Sequence, residues 1–445
     1  MVVLVKILQV ILALSVLIII HEAGHFTFAK LFGIRVDKFF LFFDAGGFKL
    51  FSTKGKFFTK LFPKAASWET EYGIGWLPLG GYCKIAGMID ESMDLEGMKR
   101  DPQPWEFRTH RPWQRLLVMA GGVLYNFIFA VIAFIILAGI WGDAYVPNEG
   151  NCIYVNELSE EMGFRTGDRI LAFDNYVPED FSMLQADLAR RNVRKATVLR
   201  GTDTLDIYID QSLIGAVLQN PGMFDLAVPF VVDSLMTDSP NYGSDLRHGD
   251  RIAAIDSIAV PYVQDSRAVL EARAGGTAVA TVLRDADTLS VPLQVDSAGH
   301  VGVYLVMPEV IRRDYTALQA IPAGAKMAWE SVAGYVRDLR LVFTPRTKAY
   351  KSVGSFIAIG QVFPSSWNSY QFLYLLAILS IMLGVMNLLP IPALDGGHIL
   401  ICLFEMLTGR KPGEKFLVVT QFIGMILLLL LMILAFGNDI ARLIK

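Results

Sequence analysis

Cysteine is scarce in this chain. Only Cys83, Cys152 and Cys402 occur in 445 residues, far apart and without a CxxC pair. No disulfide framework and no cysteine-rich zinc site follows from them. Charge is scarce too: 19% of residues are charged against 53% hydrophobic, and the mean hydropathy is +0.43. That balance excludes a disordered chain and argues against an ordinary soluble enzyme. A net charge of −3 gives no general basic excess, so no nucleic-acid partner is expected. The length predicts about two to four domains.

What is abundant is apolar sequence in long runs. Four stand out, at residues 7–20, 116–140, 372–389 and 416–436. Each approaches the ~20 residues that cross a bilayer as a helix. They are too long and too apolar for amphipathic core helices. The first run follows a single basic residue, Lys6, as a signal peptide would. No small-x-small cleavage site comes after it, and it continues into His21-Glu22-Ala23-Gly24-His25, so it reads as a retained span. Residues 30–115 carry 14 Lys+Arg and 10 Asp+Glu, whereas residues 141–345 carry 17 and 28. The positive-inside bias places 30–115 and the 409–415 loop in the cytoplasm. It leaves the acidic 141–345 region and both termini outside.

The acidic region repeats itself. Gly167-Asp168-Arg169-Ile170 returns 82 residues later as Gly249-Asp250-Arg251-Ile252, and a short turn follows each copy (Asp174-Asn175, Asp256-Ser257). The period suits a small β-rich domain used twice. Residues 36–90 hold short apolar stretches, Phe39–Phe43 and the glycine-punctuated Ile74–Tyr82, which predict strands and turns. At membrane depth such backbone must be covered by protein or line a water-filled cavity. Residues 316–345 predict an amphipathic helix leading to the third span. Trp105, Phe107 and Trp113 among basic residues predict a cytoplasmic interfacial segment.

Of the six histidines, His21 and His25 stand at i and i+4 with Glu22 between them. On a helix both imidazoles share one face and can share one zinc, with Glu22 beside the metal. Ionisable groups at the end of an apolar run are costly unless they act. A third ligand has no candidate nearby in sequence. The suggestive carboxylate is Asp395, in Asn387-Leu388-Leu389-Pro390-Ile391-Pro392-Ala393-Leu394-Asp395-Gly396-Gly397-His398. Two prolines break the helix there, and a broken membrane helix with polar residues usually marks a binding site. By the charge topology the first and third spans run the same way, so HEAGH and Asp395 fall at the same end. Asp395 as a helix cap and His398 as a rival ligand are the other readings.

Together, HEAGH and the NLLPIPALDGGH segment resemble the site-2 protease family of intramembrane zinc metalloproteases. Gly122 and Asn126 resemble that family's Gly-Pro-x-x-Asn pattern in the second span, with Val123 where the proline stands. Pro78-Leu79-Gly80-Gly81-Tyr82-Cys83-Lys84 resembles its membrane re-entrant β-hairpin, and the two Gly-Asp-Arg-Ile copies resemble tandem PDZ-like domains, as in the bacterial RseP type. The resemblance covers nearly the whole chain. It implies a polytopic α-helical membrane protein with four transmembrane helices, the re-entrant hairpin and two small β-rich PDZ-like extramembrane domains. It implies zinc held by His21, His25 and Asp395, and Glu22 as general base and later proton donor to the leaving amine. Asn387 would stabilise the oxyanion or hold the substrate backbone, and Asn126 would contact that backbone. A substrate helix must unwind to be cut, and the hairpin edge at Gly80, Gly81 and Tyr82 would receive its freed backbone by strand addition.

The expected substrates are single-span membrane proteins, such as anti-sigma factors, or remnant signal peptides, with a site-1 protease possible upstream. The expected place is the bacterial inner membrane, with the PDZ-like domains periplasmic and the zinc site toward the cytoplasm. The expected organisation is a first span with HExxH (1–35), a membrane-associated β region (36–90), a cytoplasmic interfacial segment (91–115) and a second span (116–141). Two PDZ-like domains (142–221 and 222–308), an amphipathic connector (309–370), a third span with LDGG (371–408), a cytoplasmic loop (409–415) and a fourth span (416–438) follow. The alternative is a catalytically inactive membrane binding protein using the same outer domains. An intact Glu22 weighs against it, since a scaffold needs no base there.

Overall fold

Backbone in hydrocarbon must satisfy its own N–H and C=O groups, and each of the four apolar runs does so as a helix. The computed structural model describes residues 2–78, 80–88, 101–220, 222–344 and 354–444. The first ten residues of the expected interfacial segment, Leu79 of the expected hairpin and part of the connector lie outside them. Contacts divide the chain into two units. One comprises residues 1–142, 314–340 and 352–445, the other 143–313 and 341–351.

The first unit opens with α1 (Val2–Leu31), which carries HEAGH in its last turns without a break. Then come β1 (Val36–Leu41), β2 (Lys49–Ser52), the short helix α2 (Lys56–Leu61), β3 (Glu71–Gly75) and β4 (Tyr82–Ile85). These strands form one sheet in the order β2-β3-β1-β4. Here the structure corrects an expectation: the two strands over 70–86 do not pair as a hairpin. β1 lies between them, parallel to β3 (Leu41 opposite Ile74) and antiparallel to β4 (Phe40 opposite Tyr82). The physical reason is burial. Val36 and Phe40 of β1 are fully buried, which a central strand achieves and an edge strand does not. β4 is left as an edge.

The next span, α3 (Pro112–Trp141), has proline in its first turn, where the missing N–H costs nothing. It packs against α1 at Gly24 and Gly121. A Cβ on Gly24 would stand 2.1 Å from the Gly121 carbonyl oxygen, so side chains there would force the helices apart.

The second unit holds two hydrophobic cores in succession. The first gathers Ile153, Phe164, Phe173, Leu188 and Val198. The second gathers Phe230, Ile252, Ile255, Val282 and Val291. Around the first lie β5 (Asp143–Tyr145), β6 (Ile153–Val155), α4 (Glu157–Glu161), β7 (Arg169–Phe173), α5 (Leu184–Arg190), β8 (Lys195–Arg200), β9 (Asp203–Tyr208), α6 (Ile214–Gln219) and β10 (Phe224–Leu226). Around the second lie β11 (Val232–Leu235), β12 (Arg251–Ile255), β13 (Ile258–Ala259), α7 (Val263–Glu271), β14 (Thr277–Arg284), β15 (Asp287–Gln294) and β16 (Val303–Leu305), while β17 (Ile311–Arg313) pairs antiparallel with β5. The antiparallel sheet β7-β8-β9 corresponds to β12-β14-β15, and the pair β6–β10 to β11–β16.

The sequence repeat has a structural cause. Asp168 and Asp250 are fully buried and each is held by one arginine in a two-pronged contact, Arg200 at 2.8 and 2.8 Å and Arg284 at 2.7 and 2.8 Å. Each carboxylate also accepts the backbone N–H three residues earlier, of Arg165 and Arg247.

Returning to the first unit, α8 (Ala317–Val342) packs through Ala328 beside α3, and α9 (Phe356–Val362) precedes α10 (Ser369–Leu388). The expected third span over 371–408 is two helices. α10 stops at Leu388, and α11 (Asp395–Thr408) begins after the Pro390 and Pro392 break. Ala393 takes a left-handed conformation there (φ 81°). A Cβ on Gly396 would stand 2.1 Å from the Leu389 carbonyl oxygen, so α11 starts folded tightly against the break. The last span is α12 (Glu414–Ile444). Among the described residues four helices, α1, α3, α10 and residues 415–441 of α12, are long and apolar enough to cross a membrane, and the chain is a multi-pass membrane protein.

Candidate metal centre

The helical spacing on α1 sets His21 and His25 on one face, and both are buried. The break after α10 delivers Asp395 to the same place. Its carboxylate oxygen Oδ2 lies 3.3 Å from Nε2 of His21 and 3.4 Å from Nε2 of His25, and the two Nε2 atoms are 3.2 Å apart. Among the described residues these three form the cluster of metal-binding type. Oδ2 is buried and has no hydrogen-bond partner, and Leu394, not Asp395, is the N-cap of α11. Capping therefore does not explain the carboxylate. Ligands of a tetrahedral zinc at about 2.0–2.1 Å stand about 3.3 Å from one another, so the donor set fits zinc. The N-terminal end of α11 adds a favourable potential for the carboxylate.

The remaining ring nitrogens face α3. Nδ1 of His25 lies 2.8 Å from the Val118 carbonyl oxygen, a contact that needs the proton on Nδ1 and leaves Nε2 with its lone pair. Nδ1 of His21 lies 3.1 Å from the side-chain amide of Asn126. Gly122 makes room for both rings: a Cβ there would stand 2.5 Å from His25 Nε2 and 2.7 Å from His21 Cε1.

Glu22 is half-buried, and its carboxylate accepts the backbone N–H of Cys83 in β4. The edge strand thus runs beside it. Asn387, in the last turn of α10, has its amide nitrogen 3.3 Å from Nε2 of His21. Asn126 is fully buried, and the hydroxyl of Ser380 donates to its main-chain carbonyl at 2.9 Å. That position leaves it facing His21 rather than open space. Gly80 and Gly81 lead into β4, and Tyr82 opens it, its hydroxyl donating to Asp44 at 2.8 Å. His398 lies outside the cluster.

Sequence reasoning missed two supports. The Val118 carbonyl has no sequence signature, being main chain. The ion pair between Arg115 of α3 and Glu405 of α11 was legible in principle, because a carboxylate inside an apolar helix needs a partner.

Comparison with known proteins agrees with this geometry. The model of peptidase family M50 matches residues 9–431. The "Regulator of sigma E protease" of Salmonella typhi is 29% identical over 97% of this chain and 98% of its own length. The "Regulator of sigma-E protease RseP" of Escherichia coli K12 is 28% identical over the same shares. A protein of Ralstonia nicotianae with zinc metalloprotease in its name is 27% identical over 98% of both chains.

Proposed function

This chain belongs to peptidase family M50 and is a membrane zinc metalloprotease of the site-2 type, and we propose that it cuts membrane-spanning segments of other proteins within the bilayer. The observation that carries the reading is the meeting at 3.2–3.4 Å of His21 and His25, on the membrane-spanning α1, with Asp395 at the start of α11, just past the break that ends α10. These three residues would hold the metal. Bound zinc supplies Lewis acidity, making a water nucleophilic at neutral pH and polarising a carbonyl. Glu22 takes a proton from the attacking water and delivers it to the leaving amine, with its carboxylate oriented by the Cys83 N–H. Asn387 donates its amide hydrogen to the developing oxyanion.

Asn126 acts from behind. His21 can offer Nε2 only if Nδ1 carries the proton and finds an acceptor. Oδ1 of Asn126 is buried without a partner. The two ends of an amide are near-isosteric, and with Oδ1 toward His21 the amide accepts the Nδ1 proton and both atoms are satisfied. Asn126 is then a positioning residue rather than a substrate contact.

A substrate helix hides its peptide bonds in its own hydrogen bonds. Unwound at membrane depth, it needs backbone partners, and the edge strand β4, entered through Gly80, Gly81 and Tyr82, supplies them by strand addition beside Glu22. The two repeats of the second unit are PDZ-like domains on the periplasmic side of the inner membrane, and the metal end of α1 faces the cytoplasm. Single-span proteins such as anti-sigma factors, or remnant signal peptides, are the substrates, and a site-1 protease trims them first. The names of the relatives, regulators of sigma E, support the first class.

The test uses purified wild-type protein beside Glu22→Gln in detergent with zinc. A single-span substrate is offered with and without a folded outer domain. Cutting inside the span by wild type alone is expected, faster for the trimmed form. No cutting of either form overturns the reading.

A further inference from the structure

Between Thr53 and Ala66 the chain has four lysines and no carboxylate. This stretch includes α2 and follows the edge strand β2. Phe57 and Leu61, one helical turn apart, are 84% and 64% exposed. Phe62 and Trp68 extend the same exposed apolar surface. It is a built surface: Phe58 packs on Phe51, Phe62 and Trp68 with ring centroids 5.4, 5.0 and 6.4 Å away. Lys56 and Lys60 are also a turn apart, flanking the apolar stripe. Two lysines of the sheet are paired, Lys38 with Asp44 and Lys49 with Glu71. Lys54, Lys56, Lys60 and Lys64 are exposed and form no ion pair among the described residues.

The far end of the stretch is tied to the end of the first span. Lys30, in the last turn of α1, pairs with Glu69, and the Thr70 hydroxyl donates to the Val36 carbonyl at 2.8 Å. The Trp68 end of the stripe therefore lies beside the point where α1 passes from apolar to charged sequence, which is where hydrocarbon gives way to water.

We propose that residues 53–68 are an interfacial anchor for anionic phospholipid. The stripe of Phe57, Leu61, Phe62 and Trp68 enters the boundary of the acyl chains, and the lysines reach up to phosphate headgroups. A protein partner is the less suited occupant. Nothing in the stretch offers a carboxylate or amide pattern to read, whereas four unpaired ammonium groups around an aromatic stripe match a negative leaflet. The anchor would fix the β2 side of the sheet at one depth.

The full chain, its three native cysteines changed to serine, would carry a nitroxide at Phe57→Cys or Leu61→Cys. It would be reconstituted in phosphatidylcholine nanodiscs with and without phosphatidylglycerol. Collision with dissolved oxygen and with a water-soluble nickel chelate is read by electron paramagnetic resonance. With phosphatidylglycerol, both labels are expected to be open to oxygen and shielded from nickel. Omitting that lipid, or changing Lys54, Lys56, Lys60 and Lys64 to glutamine, is expected to raise nickel collision severalfold. Because these lysines are exposed and unpaired, the variant keeps its melting temperature. Free nickel access in the anionic discs would overturn the proposal and make the stripe a surface for protein. Shielding that ignores both the lipid and the lysines would overturn its anionic part.

Discussion

The amide of Asn126 and Nδ1 of His21 face each other at 3.1 Å, on the side of the ring turned away from Asp395. If the amide is there to accept the Nδ1 proton, Asn126→Ala weakens zinc binding about 10–100-fold, the usual cost of losing such a support. Asn126→Asp keeps an acceptor and keeps most of the affinity. Competition against a chelator of known affinity measures both. Equal losses in the two variants would show that the acceptor is not what matters.

Glu22 sits among the proposed ligands without being one of them. Glu22→Gln should lower cleavage about 10²–10⁴-fold, the range for a lost general base, while zinc content stays unchanged. Turnover of a single-span substrate and metal analysis on the same preparation separate the two effects.

Two neighbouring glycines of α3 should respond differently. Gly122→Ala puts a methyl against both imidazoles, so metal binding falls while the melting temperature measured without zinc changes little. Gly121→Ala drives a methyl to 2.6 Å from the Gly24 carbonyl oxygen. It should cost about 1–3 kcal/mol by overpacking. Thermal melts beside zinc titrations decide the matter.

The second repeat should be sensitive to acid. The hydrogen bond from Arg284, helped by the Arg247 N–H, holds the Asp250 carboxyl below the ordinary carboxylate value. A carboxylate depressed in the folded state stabilises above its unfolded value, near about pH 3.9, and the contribution is lost as pH falls through the folded value. Pepsin resistance of residues 222–308 should hold at mild acidity and collapse below that range. In Asp250→Asn the acid dependence should flatten and neutral stability should drop.

Breaking the buried pair between Arg115 and Glu405 should cost about 3–5 kcal/mol, since the surviving charge is stranded. Glu405→Gln would show it as a lowered melting temperature. The looser seat of α11 should also reduce zinc affinity.

The spans were legible because a long apolar run needs no knowledge of its neighbours. The pairing of His21 with His25 was legible for a related reason, the helical period alone. Asp395 needed more: only the shared direction of the first and third spans pointed it toward HEAGH. The place of β1 between β3 and β4 was not legible. Local glycines signal a turn, whereas strand order is decided by which strand buries Val36 and Phe40, a property of the assembled sheet. Asn126 was visible as a polar residue in a span, but its partner depends on the side of α3 that meets α1.

The broken third span has a mechanical consequence. His25 comes from the first helix of the chain and Asp395 from the last but one, so a metal shared between them is a clasp across nearly the full length of the sequence. Like a cross-link closing a long loop, it removes freedom from the unfolded chain as well as adding bonds to the folded one. Stripping zinc with a chelator should therefore do more than stop cleavage. It should lower the melting temperature and open the start of α11 to proteases, and zinc returned before unfolding should restore both.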